Sequence, residues 1–138
     1  MSIQQNSTNL SVRVYYEDTD SGGVVYYANY LKFIERGRSE FLRDLGFEQD
    51  DLVETHNVIF AVKSINADYH SPAKFNDLLN VQTSIQKVGH ASLIFSQKIT
   101  PSKQNKVLFE AQITVACLYA DSFKPCGIPP IILEKING

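Results

Sequence analysis

Apolar and polar residues alternate over "LSVRVYYE", with Leu10, Val12, Val14 and Tyr16 on one side, the period of a half-buried strand that ends at a group of acids. From Tyr27 the period changes to that of a helix. Tyr27, Tyr30, Leu31, Ile34, Arg38, Phe41, Leu42 and Leu45 follow helical spacing, and Gly46 stands where it can end the helix. Gly37 inside this helix costs about 1 kcal/mol relative to alanine, which suggests that another backbone passes close to that turn. A short helical piece is expected near Gln49 to Glu54. Four strand-like runs follow, Val58 to Tyr69, Leu78 to Lys87, Ser92 to Thr100 and Lys106 to Tyr119. In the last, Val107, Phe109, Ala111, Ile113, Val115, Cys117 and Tyr119 share one face opposite Glu110, Gln112 and Thr114. The connections "KVGHAS" and "TPSKQNK" are too short for a parallel crossover, so these strands pair antiparallel. The pattern predicts an α+β chain: one long helix, then a meander of long strands forming a curved antiparallel sheet around it. The sheet's other face is left for a second subunit to cover.

A length of 138 residues fits one compact domain, 1–138, with the first nine or so residues read as a flexible tail. The net charge is -2, from 13 basic and 15 acidic residues that are interspersed, so no basic stripe points to nucleic acid. The start "MSIQQNSTNLS" lacks the apolar core of a signal peptide, and no later apolar run approaches the roughly 18 residues of a membrane span. A cytoplasmic protein without a transmembrane segment is expected. Cys117 and Cys126 show no metal or disulfide spacing and read as free thiols.

The acids raise the question of chemistry. Glu17, Asp18 and Asp20 precede Gly22 and Gly23, and such a cluster is a solvated turn, a cation site or a working acid. Asp18-Thr-Asp20-Ser-Gly22 begins like a calcium loop, but Gly22 occupies a ligand position and Asn29 stands where the closing glutamate belongs. His56, His70 and His90 are scattered, without metal-ligand spacing. "DTDSG" also resembles the DxD motif of magnesium-dependent phosphatases, whose parallel sheet the antiparallel meander argues against. "SGG" lacks the spacing and lysine of a phosphate loop. A carboxylate working without metal fits the position of Asp20, between a strand and a tight turn into the long helix, whose first N–H groups have no internal partner. Helix capping or an Asx turn by Asp18 and Asp20 fits the same pattern.

Taken together, "VRVYYEDTDSGGVVYYANYLKFIERGRSEFLRDLGF", "DYHSPAKFNDLLNVQTSI" and the closing alternating strand resemble the hot-dog-fold acyl-CoA thioesterases of the 4-hydroxybenzoyl-CoA thioesterase family, and most of all its Tol-Pal system-associated branch. The resemblance runs from Leu10 to about Pro130. It implies one central helix wrapped by about five antiparallel strands, a homodimer or homotetramer, and hydrolysis of an acyl-CoA or acyl-carrier-protein thioester to acid and thiol. No metal and no cofactor beyond the substrate's coenzyme A are implied. The second aspartate of the family's D-x-D pattern falls on Asp20, as nucleophile or general base. The backbone N–H that polarises the thioester carbonyl falls on Tyr27, where the branch usually carries histidine and the 4-hydroxybenzoyl-CoA enzymes can carry tyrosine. Glu35 and Arg36 match an "ER" pair on the helix, which reads first as a helix-face ion pair or core-edge hydrogen bonds and second, for Glu35, as a supporting acid. Phe60, Ala61 and Val62 match the strand start beside the pantetheine arm, and Ser92 a residue near the coenzyme A phosphates. The arginines that precede that serine in the 4-hydroxybenzoyl-CoA enzymes are Gly89, His90 and Ala91 here, which brings in the carrier-protein substrate. Asn76 replaces a branch acid and leaves Asp77, which reads as turn chemistry. The alternatives are a non-catalytic acyl-pantetheine binding module and, third, the magnesium-dependent phosphatase.

Overall fold

The computed structural model describes residues 7–137, so most of the expected N-terminal tail lies outside the described residues. Ser7, Thr8 and Asn9, read from the sequence as tail, are instead the start of strand β1 (Ser7–Arg13). Their alternation is polar and so carries no hydrophobic signal; backbone pairing with Ser84, Thr83 and Gln82 orders them. The strand ends at Arg13, earlier than the alternation suggests, and Tyr16–Asp18 form a single 3-10 turn.

Helix α1 spans Asn29–Asp44, two residues later at its start than the spacing predicts. At its end the Gly46 N–H bonds to Arg43 O and the Phe47 N–H to Leu42 O, with Gly46 at a φ of 100° that only glycine adopts without strain. A short helix α2 (Gln49–Asp51) continues into a π-turn at Leu52–His56. Strands β2 (Val58–Tyr69), β3 (Leu78–Val88), β4 (Ser92–Pro101) and β5 (Phe109–Tyr119) follow, then helix α3 (Pro130–Asn137). Lys106 to Leu108 precede β5 rather than opening it. Helix α3, too short for its apolar spacing to stand out in the sequence, sets Ile132 and Ile136 fully into the core.

The sheet is antiparallel, in the order β1-β3-β4-β5-β2. It departs from a sequential meander at β2, which crosses to the far edge and pairs with the last strand, β5. Helix α1 lies across β1 and β3 and reaches the middle of the sheet, where Phe41 meets Phe95 edge-on and Tyr30 stacks on Phe109. A Cβ on Gly37 would stand 2.7 Å from Thr83 Oγ1 and 3.0 Å from both Gln97 Nε2 and Val81 Cγ1. Gly37 thus makes room for sheet side chains and not, as the sequence suggested, for a second backbone.

The sheet's outer face needs less cover than expected, because it carries mainly polar residues such as Gln82, Lys98, Glu110 and Gln112. Apolar side chains are left uncovered in the loop before α1 and on β2, one of the two edge strands. A bulge between Val62 and Ser64 shifts the register there, so Phe60 and Val62 before it and Ile65, Ala67 and Tyr69 after it all face the helix side. Val62, Ile65 and Tyr69 remain 48%, 39% and 48% exposed. No helix among the described residues is long and apolar enough to cross a membrane.

Candidate functional site

Of the acids ahead of α1, Glu17 and Asp18 belong to the 3-10 turn, and Asp20 lies in the segment after it, where Thr19 and Val25 form an antiparallel bridge across the loop. The two aspartates take different environments. Asp18 is structural: its Oδ2 accepts the Tyr15 N–H, and its carbonyl accepts the Tyr26 N–H and Asn29 Nδ2–H, each at 2.8 to 2.9 Å. Asp20 is exposed, and its Oδ1 accepts the Gly22 N–H at 2.8 Å in an Asx turn. Its Oδ2 has no hydrogen-bond partner among the described residues. Gly23, at a φ of 78°, lets the chain reverse there, with its N–H on the Asp20 carbonyl at 3.1 Å.

The loop is clamped by the β2–β3 connection. The Val25 N–H bonds to Ala73 O, the Phe75 N–H to Gly23 O, and the Ala73 N–H to the buried Tyr30 hydroxyl. Tyr27 sits in the turn before α1, 62% exposed, and not in the helix itself. The Tyr26 carbonyl accepts the Asn29 N–H at 2.8 Å and so points into the helix. In a trans peptide the N–H opposes the C=O, so the Tyr27 N–H points the other way. Among the described residues it donates to no acceptor. An outward N–H at a helix entrance is a ready partner for a developing negative oxygen. Tyr27 shares a cleft with Val25, Tyr30, Tyr69 and His70, and its carbonyl accepts the Tyr69 hydroxyl at 3.2 Å.

The other site residues divide into two groups. Glu35, Phe60 and Val62 come together around a cavity of about 110 Å³, with Arg38, Ser39 and Leu93. Glu35 accepts the Ser39 hydroxyl at 2.8 Å. Arg36, the other half of the "ER" pair, turns outward, its guanidinium 6.0 Å from the centre of the Phe33 ring. Ala61 and Ser92 are not in this cavity. Both pair with Ala116 across adjacent strands, and directly paired residues project to the same face, so they lie on the side of the sheet away from Phe60 and Val62.

Arg38 is the residue that spacing alone underrates. It is 9% exposed, donates from Nη1 to Gln97 Oε1 at 2.9 Å, and lacks an ion pair among the described residues. Burial lowers the pKa of its guanidinium from the ordinary arginine value, and Glu35 opposes the shift. The available signal was an arginine inside the apolar stripe of α1. Cys117 and Cys126, with sulfurs 3.7 Å apart in the core, are free thiols; burial first, then the neighbouring thiol, pushes Cys117 up to about 12. Among the described residues no three His, Cys, Asp or Glu side chains form a metal-binding group.

A family model described as the thioesterase superfamily matches residues 22–108, more than half the chain, beginning two residues after Asp20. The chain is 44% identical over 124 residues, 90% of each chain, to a Haemophilus influenzae protein named acyl-CoA thioesterase YbgC. A solved structure of a probable thioesterase from Bartonella henselae superposes with a TM-score of 0.84 at 35% identity, covering 89% of this chain and 99% of that one. A 1,4-dihydroxy-2-naphthoyl-CoA thioesterase from Synechocystis, at 20% identity, shares the hot-dog fold with a TM-score of 0.87 over 95% of this chain and 96% of its own.

Proposed function

The chain belongs to the thioesterase superfamily, and on that premise we propose that it hydrolyses acyl-CoA thioesters to free acid and thiol, with Asp20 and the Tyr27 N–H as its catalytic groups. The observation that carries this reading is the pair of unused groups on one clamped loop: Asp20 Oδ2 and the Tyr27 N–H, neither with a partner among the described residues. The N–H takes the thioester oxygen as it becomes negative. The carboxylate then either attacks the carbonyl carbon, expelling the coenzyme A thiolate and leaving an anhydride for water to open, or removes a proton from the attacking water. A thiolate leaves readily, so these groups suffice and the reading assigns no metal and no separate cofactor. The compartment is the cytoplasm, where coenzyme A esters are made and used.

The active form in this reading is at least a homodimer. Tyr27 stands at the Tyr69 end of β2, whereas Phe60, Val62 and the Glu35 cavity lie at its start, nine residues or about 30 Å away. Antiparallel pairing of two β2 edges about a two-fold axis sets the start of one strand beside the end of the other. Asp20 and Tyr27 of one protomer then face Phe60 and Val62 of its partner, which complete the acyl and pantetheine path. The same pairing covers the exposed apolar edge. Acyl-carrier protein is a second substrate class, favoured by the absence of arginine at residues 89–91 beside Ser92.

The test is thiol release from a panel of acyl-CoA esters, with and without EDTA. Turnover that survives the chelator and fails in Asp20→Asn supports the reading. Binding without turnover on every ester would establish the acyl-pantetheine binding module, and loss in EDTA with recovery in magnesium the phosphatase-like one.

A further inference from the structure

Tyr69 is the last residue of the edge strand β2, and the catalytic groups proposed above do not include it. Its ring is held in an aromatic cluster, edge-on to Phe109 at 4.9 Å, Tyr30 at 5.4 Å and Tyr27 at 6.3 Å between centroids. Its hydroxyl reaches over the entrance of α1 to the Tyr27 carbonyl at 3.2 Å. That contact completes a pattern. The peptide before Tyr27 is fixed by the Asn29 N–H on the Tyr26 carbonyl, and the peptide after it by Tyr69. Without the second hold, Tyr27 is anchored on one side only, in an exposed turn ahead of the first helical residue.

We propose that Tyr69 is a positioning residue for thioester polarisation: its hydroxyl holds the Tyr27 carbonyl and so restrains, from the peptide that follows, the residue whose N–H the Tyr26–Asn29 bond directs. The inference rests on the assignment of that N–H to the thioester oxygen. A distance of 3.2 Å is long for a hydroxyl donor, so the contact is worth no more than one ordinary neutral hydrogen bond. Desolvation, and then the neighbouring Tyr27 phenol, raise the pKa of the Tyr69 phenol, so it remains a proton donor through the neutral range. The arrangement also connects catalysis to assembly. Tyr69 belongs to the strand whose edge meets the second protomer in the proposed dimer, so pairing there steadies the hydroxyl that steadies Tyr27.

Tyr69→Phe keeps the ring and its aromatic contacts and deletes only the hydroxyl. On hexanoyl-CoA and benzoyl-CoA, kcat should fall about three- to tenfold, the scale of one neutral hydrogen bond, with KM within about twofold and the pH profile unchanged. Infrared difference spectra give a readout that a merely structural role would not move. In the Asp20→Asn protein, the carbonyl band of bound [1-13C]hexanoyl-CoA should lie to the red of the free ester. In Asp20→Asn/Tyr69→Phe, that shift should shrink. A red shift and kcat both unaffected by Tyr69→Phe would overturn the Tyr69 role while leaving the Tyr27 assignment standing. A lower kcat accompanied by a lower melting temperature and an undiminished red shift would mark the residue as structural, against the proposal. If Asp20→Asn alone shows no red shift, the Tyr27 assignment is wrong and the Tyr69 role falls with it.

Discussion

Asp20 and Asp18 are two residues apart, yet their surroundings differ. Asp18 spends its acceptors on the Tyr15, Tyr26 and Asn29 donors, whereas Asp20 keeps one oxygen free beyond the Asx turn. Asp20→Asn preserves the turn acceptor and removes the charge, and turnover should fall about a thousandfold. Tyr27→Phe leaves the N–H in place and should cost less than about tenfold, or about 1.4 kcal/mol of barrier, and Tyr27→His should also stay active. Equal damage from Tyr27→Phe and Asp20→Asn in folded protein would make the phenol a catalytic group. Asp20→Asn with full activity would move attention to Glu35. Cys117 gives a different kind of prediction. Its thiol titrates at about 8.5 in the unfolded chain and is pushed up to about 12 by burial in the fold. The folded state therefore disfavours the thiolate. This contribution is fully present below about pH 8.5 and is lost as pH rises towards 12. Urea midpoints should fall from pH 8 to pH 10.5, and the fall should be shallower in Cys117→Ala.

At the scale of elements, the join between α1 and the sheet is a polar network inside an apolar core. Gln97, 1% exposed, donates from Nε2 to Ile34 O and Thr83 Oγ1, each at 2.8 Å, and accepts from Arg38. Gln97→Leu removes all three bonds and leaves a buried guanidinium without its acceptor, a loss of about 3 kcal/mol in unfolding free energy. Arg38→Met in the same background should return part of it. Gly37→Ala gains helix propensity but places a Cβ 2.7 Å from Thr83 Oγ1, so it should destabilise by about 1 to 3 kcal/mol. Denaturant titration measures both, and a stabilised Gly37→Ala would show that the helix can shift away from the sheet.

For the whole molecule, the exposed apolar edge of β2 and the separation of Tyr27 from the Phe60 cavity lead to one expectation. The protein should sediment at twice or four times 15.5 kDa. Mixed chains test where the site is assembled. Asp20→Asn lacks the carboxylate, and Phe60→Trp overfills the cavity wall. Co-refolded, the two inactive chains should recover activity, because each mixed dimer holds one site with an intact Asp20 facing an intact Phe60. No recovery, or a fully active monomer, would place the whole site within one chain.

The sequence by itself determined most of the elements and pointed to the acid-glycine loop as the candidate site. Periods of two and 3.6 residues are local properties of the chain, so the α1 stripe and the alternation of β3 to β5 were legible, as was the acid-glycine loop at the helix entrance. Ser7 to Asn9 were not, because polar residues ordered by backbone pairing leave no hydrophobic trace. Neither was the position of β2: its apolar spacing establishes a strand but does not choose between β3 and β5 as partner. Tertiary structure also decided which site residues meet. The register across Ala116 turns Ala61 and Ser92 away from Phe60 and Val62, and Tyr69 reaches Tyr27 from 42 residues away. Such contacts depend on packing between segments far apart in the chain, and no local pattern encodes them.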